Sequence, residues 1–234
     1  SSLDENGEVS FIKSKAIGRG YSATGWSWDA DFFDFDNDGD DDLYCLTGMN
    51  PYSVYGQENV YYSSPDGESK NVIYAASSEE PNIFFENKNG VLEVVSQAGG
   101  LDYMGTSRSA AYFDFDNDGD LDIVVNEYQG AARFFKNNAE KQMNNWVKIQ
   151  LIGDASSKVT KDAIGTTVIL TTPEGDKIWK EVYSTTGYLS GHPKALHFGL
   201  GKEEQFDLEV RWPNGKLVYL KGLVSNKTHL IKYD

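Results

Sequence analysis

The strongest constraint on the fold is an acidic block that the chain contains twice. Residues 34–42 read Asp-Phe-Asp-Asn-Asp-Gly-Asp-Asp-Asp, and residues 114–122, which follow 80 positions later, read Asp-Phe-Asp-Asn-Asp-Gly-Asp-Leu-Asp. Short runs of branched and aromatic residues follow both blocks, at 43–46 and at 123–125, and such residues are typical of strands. The repeated unit is therefore predicted to be a strand, an acidic loop and a second strand.

Carboxylates occupy every second position of each block. Groups of like charge at this density repel one another, and the chain can keep them folded inward only if a cation neutralises them. Calcium accepts about six to eight oxygen ligands in flexible geometry, whereas zinc prefers His or Cys and magnesium keeps its waters. The blocks therefore predict two calcium sites, with Gly39 and Gly119 where the chain turns sharply around each ion. The candidate ligands are Asp34, Asp36, Asp38, Asp40, Asp42, Asp114, Asp116, Asp118, Asp120 and Asp122.

An EF-hand is the obvious alternative, because it also begins with alternating acids and a glycine at its sixth position. The Glu that closes an EF-hand would fall on Cys45 and on Val125, and the flanking residues favour strands over helices. The loop closes instead at its ninth position, with Asp42 and Asp122. We predict side-chain ligation from positions 1, 3, 5 and 9 of each loop, and a backbone carbonyl ligand from position 7.

The N-terminal part, residues 1–141, is predicted to form the repeat region that carries both calcium loops. The segment 47–78 is rich in Asn, Ser, Gly and Tyr and favours a long loop with a turn at Pro65-Asp66-Gly67. A strand, an Asn-Gly turn and a second strand follow within 82–92, and 134–138 echoes the first half of that segment. The repeating element therefore contains several strands.

The C-terminal part, residues 142–234, changes to a two-residue alternation that indicates half-buried strands. Val147, Ile149 and Leu151 alternate with polar residues. The turns Pro173-Glu174-Gly175-Asp176 and Pro213-Asn214-Gly215 each separate two alternating segments, which predicts two hairpins. We expect a small antiparallel β-sandwich or barrel, so that the whole chain is all-β.

Composition excludes several classes of function. The formal charge of −15 disfavours binding to nucleic acid, and no apolar run approaches the roughly 20 residues of a membrane helix. The single Cys45 forms no internal disulfide and is expected to be a small buried residue. The chain has three histidines and no recognisable nucleophile motif, and His197 is expected to have a packing role. We predict that the protein is not an enzyme.

The acidic blocks resemble the FG-GAP or VCBS repeats of integrin-like β-propellers, in which such a loop joins the first two strands of a blade. The C-terminal part contains five further motifs, which are Asn145-Trp146-Val147-Lys148, Asp162-Ala163-Ile164-Gly165, Gly187-Tyr188-Leu189-Ser190, His197-Phe198-Gly199-Leu200-Gly201 and Val210-Arg211-Trp212-Pro213-Asn214-Gly215. In this order they resemble the ASPIC/UnbV module, which commonly follows VCBS repeats in secreted proteins.

The resemblance implies partial β-propeller-type blades followed by the small β domain. The first block departs from the repeat, because Asp41 stands where the repeat usually has leucine, as at Leu121. Residues 1–141 supply too few blades to close a ring, since a propeller needs at least about four. Either the chain is a piece of a longer propeller, or neighbouring copies cover the open strand edges.

We predict an extracellular or cell-surface adhesion or scaffold module, with a periplasmic location as a variant, in which calcium acts as a structural staple. Calcium sites of extracellular type bind with dissociation constants of roughly 10⁻⁴ to 10⁻³ M, which are too weak to fill in the cytosol. Two alternatives stay open. One is a calcium-dependent, lectin-like module that binds glycans or proteins, and the other is a self-assembling subunit of a filament or surface layer. The aromatic residues that would serve the first alternative are Trp26, Trp28, Tyr52, Tyr55, Tyr61 and Tyr62.

Overall fold

The computed structural model describes Thr24, residues 26–49, 80–95 and 99–234, and the backbone of four further short strands. These four strands are β1 (Ser2–Leu3), β2 (Val9–Ser10), β5 (Val60–Ser63) and β6 (Ser69–Val72). Strands β5 and β6 pair antiparallel, so the prediction of a loop throughout 47–78 is wrong for this hairpin. The predicted turn at Pro65-Asp66-Gly67 lies outside the described residues.

The N-terminal part contains two antiparallel sheets in which each acidic loop joins the first two strands. The first sheet has the order β3-β4-β8-β9, and its strands are β3 (Ser27–Phe33), β4 (Asp42–Thr47), β8 (Ile83–Lys88) and β9 (Val91–Val94). The second has the order β11-β12-β13, and its strands are β11 (Ser107–Phe113), β12 (Asp122–Glu127) and β13 (Arg133–Phe135). A small pair links β7 (Glu80–Pro81) with β10 (Met104–Gly105). The strand, loop, strand prediction is confirmed, and the first sheet has the four antiparallel strands of a propeller blade.

The two blade-like sheets share one apolar core. Phe33 and Tyr44 of the first sheet pack with Tyr112 and Val125 of the second, and the rings of Phe33 and Tyr112 stack with centroids 4.2 Å apart. Cys45 lies buried on the opposite face of the first sheet, as expected of a small apolar residue, and burial raises the pKa of its thiol to about 11. Strand β4 is buried on both faces, which fits the run of apolar and aromatic residues between its two terminal residues.

Two sheets build the C-terminal sandwich. The first has the order β17-β14-β20, and its strands are β14 (Asn145–Ile152), β17 (Leu196–Gly201) and β20 (Lys227–Lys232). The second has the order β16-β15-β18-β19, and its strands are β15 (Thr167–Thr171), β16 (Lys177–Glu181), β18 (Gln205–Arg211) and β19 (Leu217–Val224). The alternating residues Val147, Ile149 and Leu151 all lie in the single core between these sheets, and both predicted hairpins form.

One strand pair of the sandwich differs from the antiparallel expectation. Strand β20 runs parallel to β14, with Val147 opposite Lys227 and Ile152 opposite Lys232. Because β18 and β19 belong to the other sheet, the chain crosses between the sheets before β20 and returns in the direction of β14, which is the kind of connection a parallel pair needs. The other strand pairs of the described chain are antiparallel, and its only helices are two short 3₁₀ turns, so the all-β prediction is confirmed. None of its helices has the length and apolar character to cross a membrane.

Candidate metal centres

The first acidic loop folds around its own carboxylates. Asp34 follows β3 and accepts two backbone N–H groups, from Asp38 at 3.2 Å and from Gly39 at 3.0 Å. Gly39 has φ +101°, a conformation that glycine adopts without strain and that turns the chain back over Asp34. Asp42, at the start of β4, accepts the backbone N–H of Phe35 at 3.1 Å, so the two ends of the loop meet.

The second loop repeats this geometry. Asp114 accepts the backbone N–H groups of Asp118 at 3.1 Å and Gly119 at 3.0 Å, and Gly119 has φ +100°. Asp122 accepts the N–H of Phe115 at 2.8 Å. The same nine-residue pattern therefore gives the same loop twice.

In each loop, three carboxylates come within ligand distance of one another. Their nearest oxygens all lie within 4.8 Å, in Asp34, Asp36 and Asp42 and again in Asp114, Asp116 and Asp122. The predicted ligands at position 5, Asp38 and Asp118, lie outside these triads, and each accepts the N–H of the residue at position 7. The triads contain positions 1, 3 and 9, while ligation by Asp38, Asp118 and the position 7 carbonyls of Asp40 and Asp120 stays a prediction.

Burial makes these carboxylates costly in their charged form. Removal from water raises the pKa of Asp34 well above its usual range and that of Asp42 to about 7. Asp40 reaches about 6, first because of burial and then because Asp38 and Asp36 are near, and burial likewise raises the pKa of Asp122. A hard divalent cation bound among such oxygens would restore the charged form. The donor set, which consists of oxygens alone, fits calcium.

Two asparagines that were not among the predicted site residues close the loops. The backbone N–H of Asn87 donates to Asp42 Oδ1 at 2.7 Å, and that of Asn137 donates to Asp122 Oδ1 at 2.9 Å. Each lies two residues after a Phe that pairs with the strand following the acidic loop, Phe85 opposite Leu43 and Phe135 opposite Ile123. The echo between 82–88 and 134–138 was the signal that could have revealed them.

The first loop is seated against strand β17 of the sandwich. Asn37 is 2% exposed, its Oδ1 lies 2.6 Å from His197 Nε2, and its carbonyl accepts the N–H of Gly201 at 2.8 Å. A Cβ at Gly199 would overlap Asp34 Oδ2 and the backbone of Asn37, so only glycine permits this approach. Asn37 Nδ2 also donates to the carbonyl of Gly119 at 3.0 Å, which joins the two loops.

The second loop is seated against strand β14. The indole of Trp146 fills the space that a side chain at Gly119 would occupy, and Lys148 Nζ lies 2.5 Å from Asp114 Oδ2. Trp146 lies opposite Gly199, and Lys148 lies opposite His197, in the β14–β17 ladder. One strand pair of the sandwich therefore lies across both loops.

Further lysines contact the loops. Lys180 Nζ lies 2.9 Å from Asp41 Oδ1, so the residue that departs from the repeat pattern pairs with the sandwich. Leu121, at the equivalent position, packs against the core between the blade-like sheets. Lys136 contacts Asp116 and lies 3.3 Å from Asp118 Oδ2.

The remaining sequence predictions have mixed outcomes. His197 is buried and stacks on Trp146, as its predicted packing role requires, and burial lowers its pKa to about 3. Trp28 packs under Arg108, whose guanidinium lies 4.5 Å from the ring centroid, whereas Trp26 is 43% exposed. Tyr52 and Tyr55 lie outside the described residues, as do the side chains of Tyr61 and Tyr62.

Comparisons with known proteins agree with the motifs. Residues 66–125 match the FG-GAP-like repeat family, and residues 156–234 match the family ASPIC and UnbV. The resemblance is confirmed: the chain carries an FG-GAP-like repeat followed by an ASPIC and UnbV domain.

The curated relatives are named cartilage acidic protein 1. The human protein is 29% identical over 156 residues, which are 63% of this chain and 22% of the relative. The Xenopus tropicalis protein is 28% identical over 186 residues, which are 79% of this chain and 25% of the relative. The match thus spans about a quarter or less of these relatives. The alignment with a crystal structure of a putative cell adhesion protein from Bacteroides uniformis ATCC 8492 covers 93% of this chain and 91% of that chain at 12% identity. Its TM-score of 0.25 is too low to assign a shared fold.

Proposed function

We propose that this chain is an extracellular, non-catalytic adhesion or scaffold module that is held together by two calcium ions. The observation that carries the proposal is the pair of carboxylate triads, one in each loop, whose oxygens lie within 4.8 Å of one another. The domain combination and the likeness to cartilage acidic protein 1 support the adhesion class and the extracellular location.

The contacts of the loops support a structural role for calcium. Both loops lie between the blade-like sheets and the sandwich, where Asn37 bonds to His197 and Lys148 pairs with Asp114. A cation bound in each loop would fix the carboxylates against which β14 and β17 pack. Binding and docking then share one equilibrium, so calcium stabilises the assembled form.

Titration of the EDTA-treated protein with calcium tests the proposal. We expect two bound ions by calorimetry and a higher melting temperature in calcium than in magnesium or EDTA. At 10 mM calcium and extracellular-type affinities, each site would contribute about 1–3 kcal/mol to the free energy of unfolding. A melting temperature that is the same in calcium and in EDTA would overturn the staple role.

Single substitutions test whether each loop binds one of the two calcium ions. Asp36→Asn and Asp116→Asn each remove one triad carboxylate, and each should reduce the calorimetric stoichiometry from two ions to one. Asp176→Asn is the matched control, because Asp176 is an exposed carboxylate in the turn between β15 and β16. Two ions retained in both triad variants would place calcium elsewhere.

A further inference from the structure

A cleft of about 570 Å³ lies between the blade-like sheets and the sandwich. Strands β3 and β11 form one wall, and β14 and β16 form the other. Sites for small ligands have volumes of about 300–1,000 Å³ and occur preferentially where two structural units meet. The cleft has the size and the position of such a site.

Aromatic side chains line this cleft and are still exposed. Phe32 on β3 is 60% exposed and Trp179 on β16 is 54% exposed, although both contribute to the cleft. Tyr183, which follows β16, is 49% exposed and lines the same cleft. Large aromatic faces left open in a concave surface provide stacking area for a flat, partly apolar ligand.

Uncommitted polar side chains lie beside these rings. The side chains of Asn117, Gln150 and Thr228 line the cleft and make no hydrogen bond to any described residue. An amide and a hydroxyl can each donate and accept a hydrogen bond. Such groups suit a ligand whose own groups do both, as sugar hydroxyls do.

Two of the three lysines that line the cleft are paired with carboxylates. Lys148 pairs with Asp114 at 2.5 Å, and Lys180 pairs with Asp41 at 2.9 Å. The third lysine of the cleft, Lys194, donates to the carbonyl of Ser184 at 2.8 Å. The lining also includes the carboxylates of Asp31 and Glu181, which repel anions together with the net charge of −15. These charges disfavour an anionic ligand, and the carboxylates can accept hydrogen bonds from the hydroxyls of a neutral one.

We propose that this cleft binds a neutral saccharide, stacked on Trp179 and Phe32 and hydrogen-bonded by Asn117 and Gln150. The inference goes beyond the proposed function, because the sugar contacts side chains of the two walls and calcium acts only by holding those walls together.

An immobilised panel of neutral, sialylated and sulfated oligosaccharides, probed with the calcium-saturated chain, tests the inference. We expect the chain to bind neutral members of the panel. When the best neutral member is then titrated by calorimetry, its affinity should fall at least tenfold in Trp179→Ala and measurably in Gln150→Ala. Tyr219→Ala is the matched control, because Tyr219 is 63% exposed on β19 and does not line the cleft.

Three results would overturn the saccharide site. They are the absence of neutral binding by folded protein, binding restricted to sialylated or sulfated members, and unchanged affinity in both cleft variants. Gln150→Ala keeps the test valid if Trp179→Ala does not fold. Calcium stoichiometry is measured separately, so a failure of the saccharide site and a failure of the calcium staple give different results.

Discussion

Asn37 and Asn117 occupy the same position of the repeated loop with the same backbone conformation, φ +61°, yet their side chains have different surroundings. Asn37 is buried and bonds to Gly119 and His197, whereas Asn117 is exposed and lines the cleft. Since Asn37 Nδ2 donates to a carbonyl, Asn37 Oδ1 is the acceptor of a hydrogen bond that the N–H of His197 Nε2 donates. Asparagine at this loop position therefore joins the first loop to the sandwich, whereas in the second loop it faces an open cleft.

This pair supports a matched prediction for stability. Alanine at either position carries the same penalty for φ +61°, so the difference between the variants isolates the side-chain hydrogen bonds. Asn37→Ala also leaves a buried His197 Nε2 without its acceptor, and we expect it to lower the free energy of unfolding by about 1–3 kcal/mol more than Asn117→Ala. Chemical denaturation in saturating calcium measures both, and equal losses would contradict the docking role.

The sequence predicted the loops well because their determinants are local. The alternating acids of 34–42 and 114–122 and the glycines at 39 and 119 act within nine residues. It did not predict that Asn37 and Asn117 would differ, because the bond from Asn37 to His197 joins residues 160 positions apart. The parallel pairing of β20 with β14 was missed for a similar reason, since alternation indicates which face is buried and carries no information on strand direction.

The close approach of β17 to the first loop predicts a strong effect of a single methyl group. Gly199→Ala places a Cβ against Asp34 Oδ2 and the backbone of Asn37, which cannot move without opening the loop. We expect a loss of about 1–3 kcal/mol in the free energy of unfolding and faster proteolysis between the sheets and the sandwich. Gly191→Ala is the control, because a Cβ there meets nothing within 4 Å. Equal melting temperatures for the two variants would show that β17 does not pack closely against the first loop.

Asp31 predicts a pH-dependent contribution to stability. Burial and the neighbouring Asp29 raise the pKa of Asp31 from 3.8 to about 6. His192 Nε2 lies 3.7 Å away, but burial, with a smaller effect of Lys194, lowers its pKa to about 4, so it is neutral where Asp31 ionises. Between pH 4 and 6 the Asp31 carboxyl binds more proton in the folded state than in the unfolded state, so the stability that this group contributes is present at low pH and falls as the pH rises through 6. The lowered pKa of His192 acts in the opposite direction over the same range.

Asp31→Asn should therefore stabilise the protein at neutral pH. The gain is expected to be on the order of 2–3 kcal/mol at pH 7.5 and to shrink to about 1 kcal/mol at pH 4.5. Denaturation of the parent chain and of Asp31→Asn in saturating calcium, at both pH values, measures the difference in their free energies of unfolding. The loop carboxylates titrate in both proteins, so their contribution cancels in this difference. A difference that stays constant or grows toward low pH would contradict the raised pKa.

The two acidic loops differ in the charge next to their third position. Lys136 contacts Asp116 in the second loop, whereas Glu86 holds the equivalent place one residue after Phe85 in the first. Glu86 adds to the burial and the nearby Asp38 that raise the pKa of Asp36. A cation entering the second loop therefore competes with Lys136 for Asp116, whereas the carboxylate near Asp36 in the first loop, Glu86, pairs with Lys88 at 3.0 Å and leaves Asp36 without a contact to any described lysine. We expect the first site to bind calcium more tightly than the second.

Replacement of Lys136 tests this difference directly. Lys136→Ala should tighten the second site roughly two- to tenfold, because it removes a competing positive charge, and Lys136→Glu should tighten it further and bring the two affinities closer together. Calorimetric titration in low and high salt measures the effect, which should shrink in high salt because Lys136 is partly exposed. Lys221→Ala, a substitution of an exposed lysine on β19, is the control and should leave both affinities unchanged. If Lys136→Glu binds calcium no more tightly than the parent chain, the charge at this position does not distinguish the two sites.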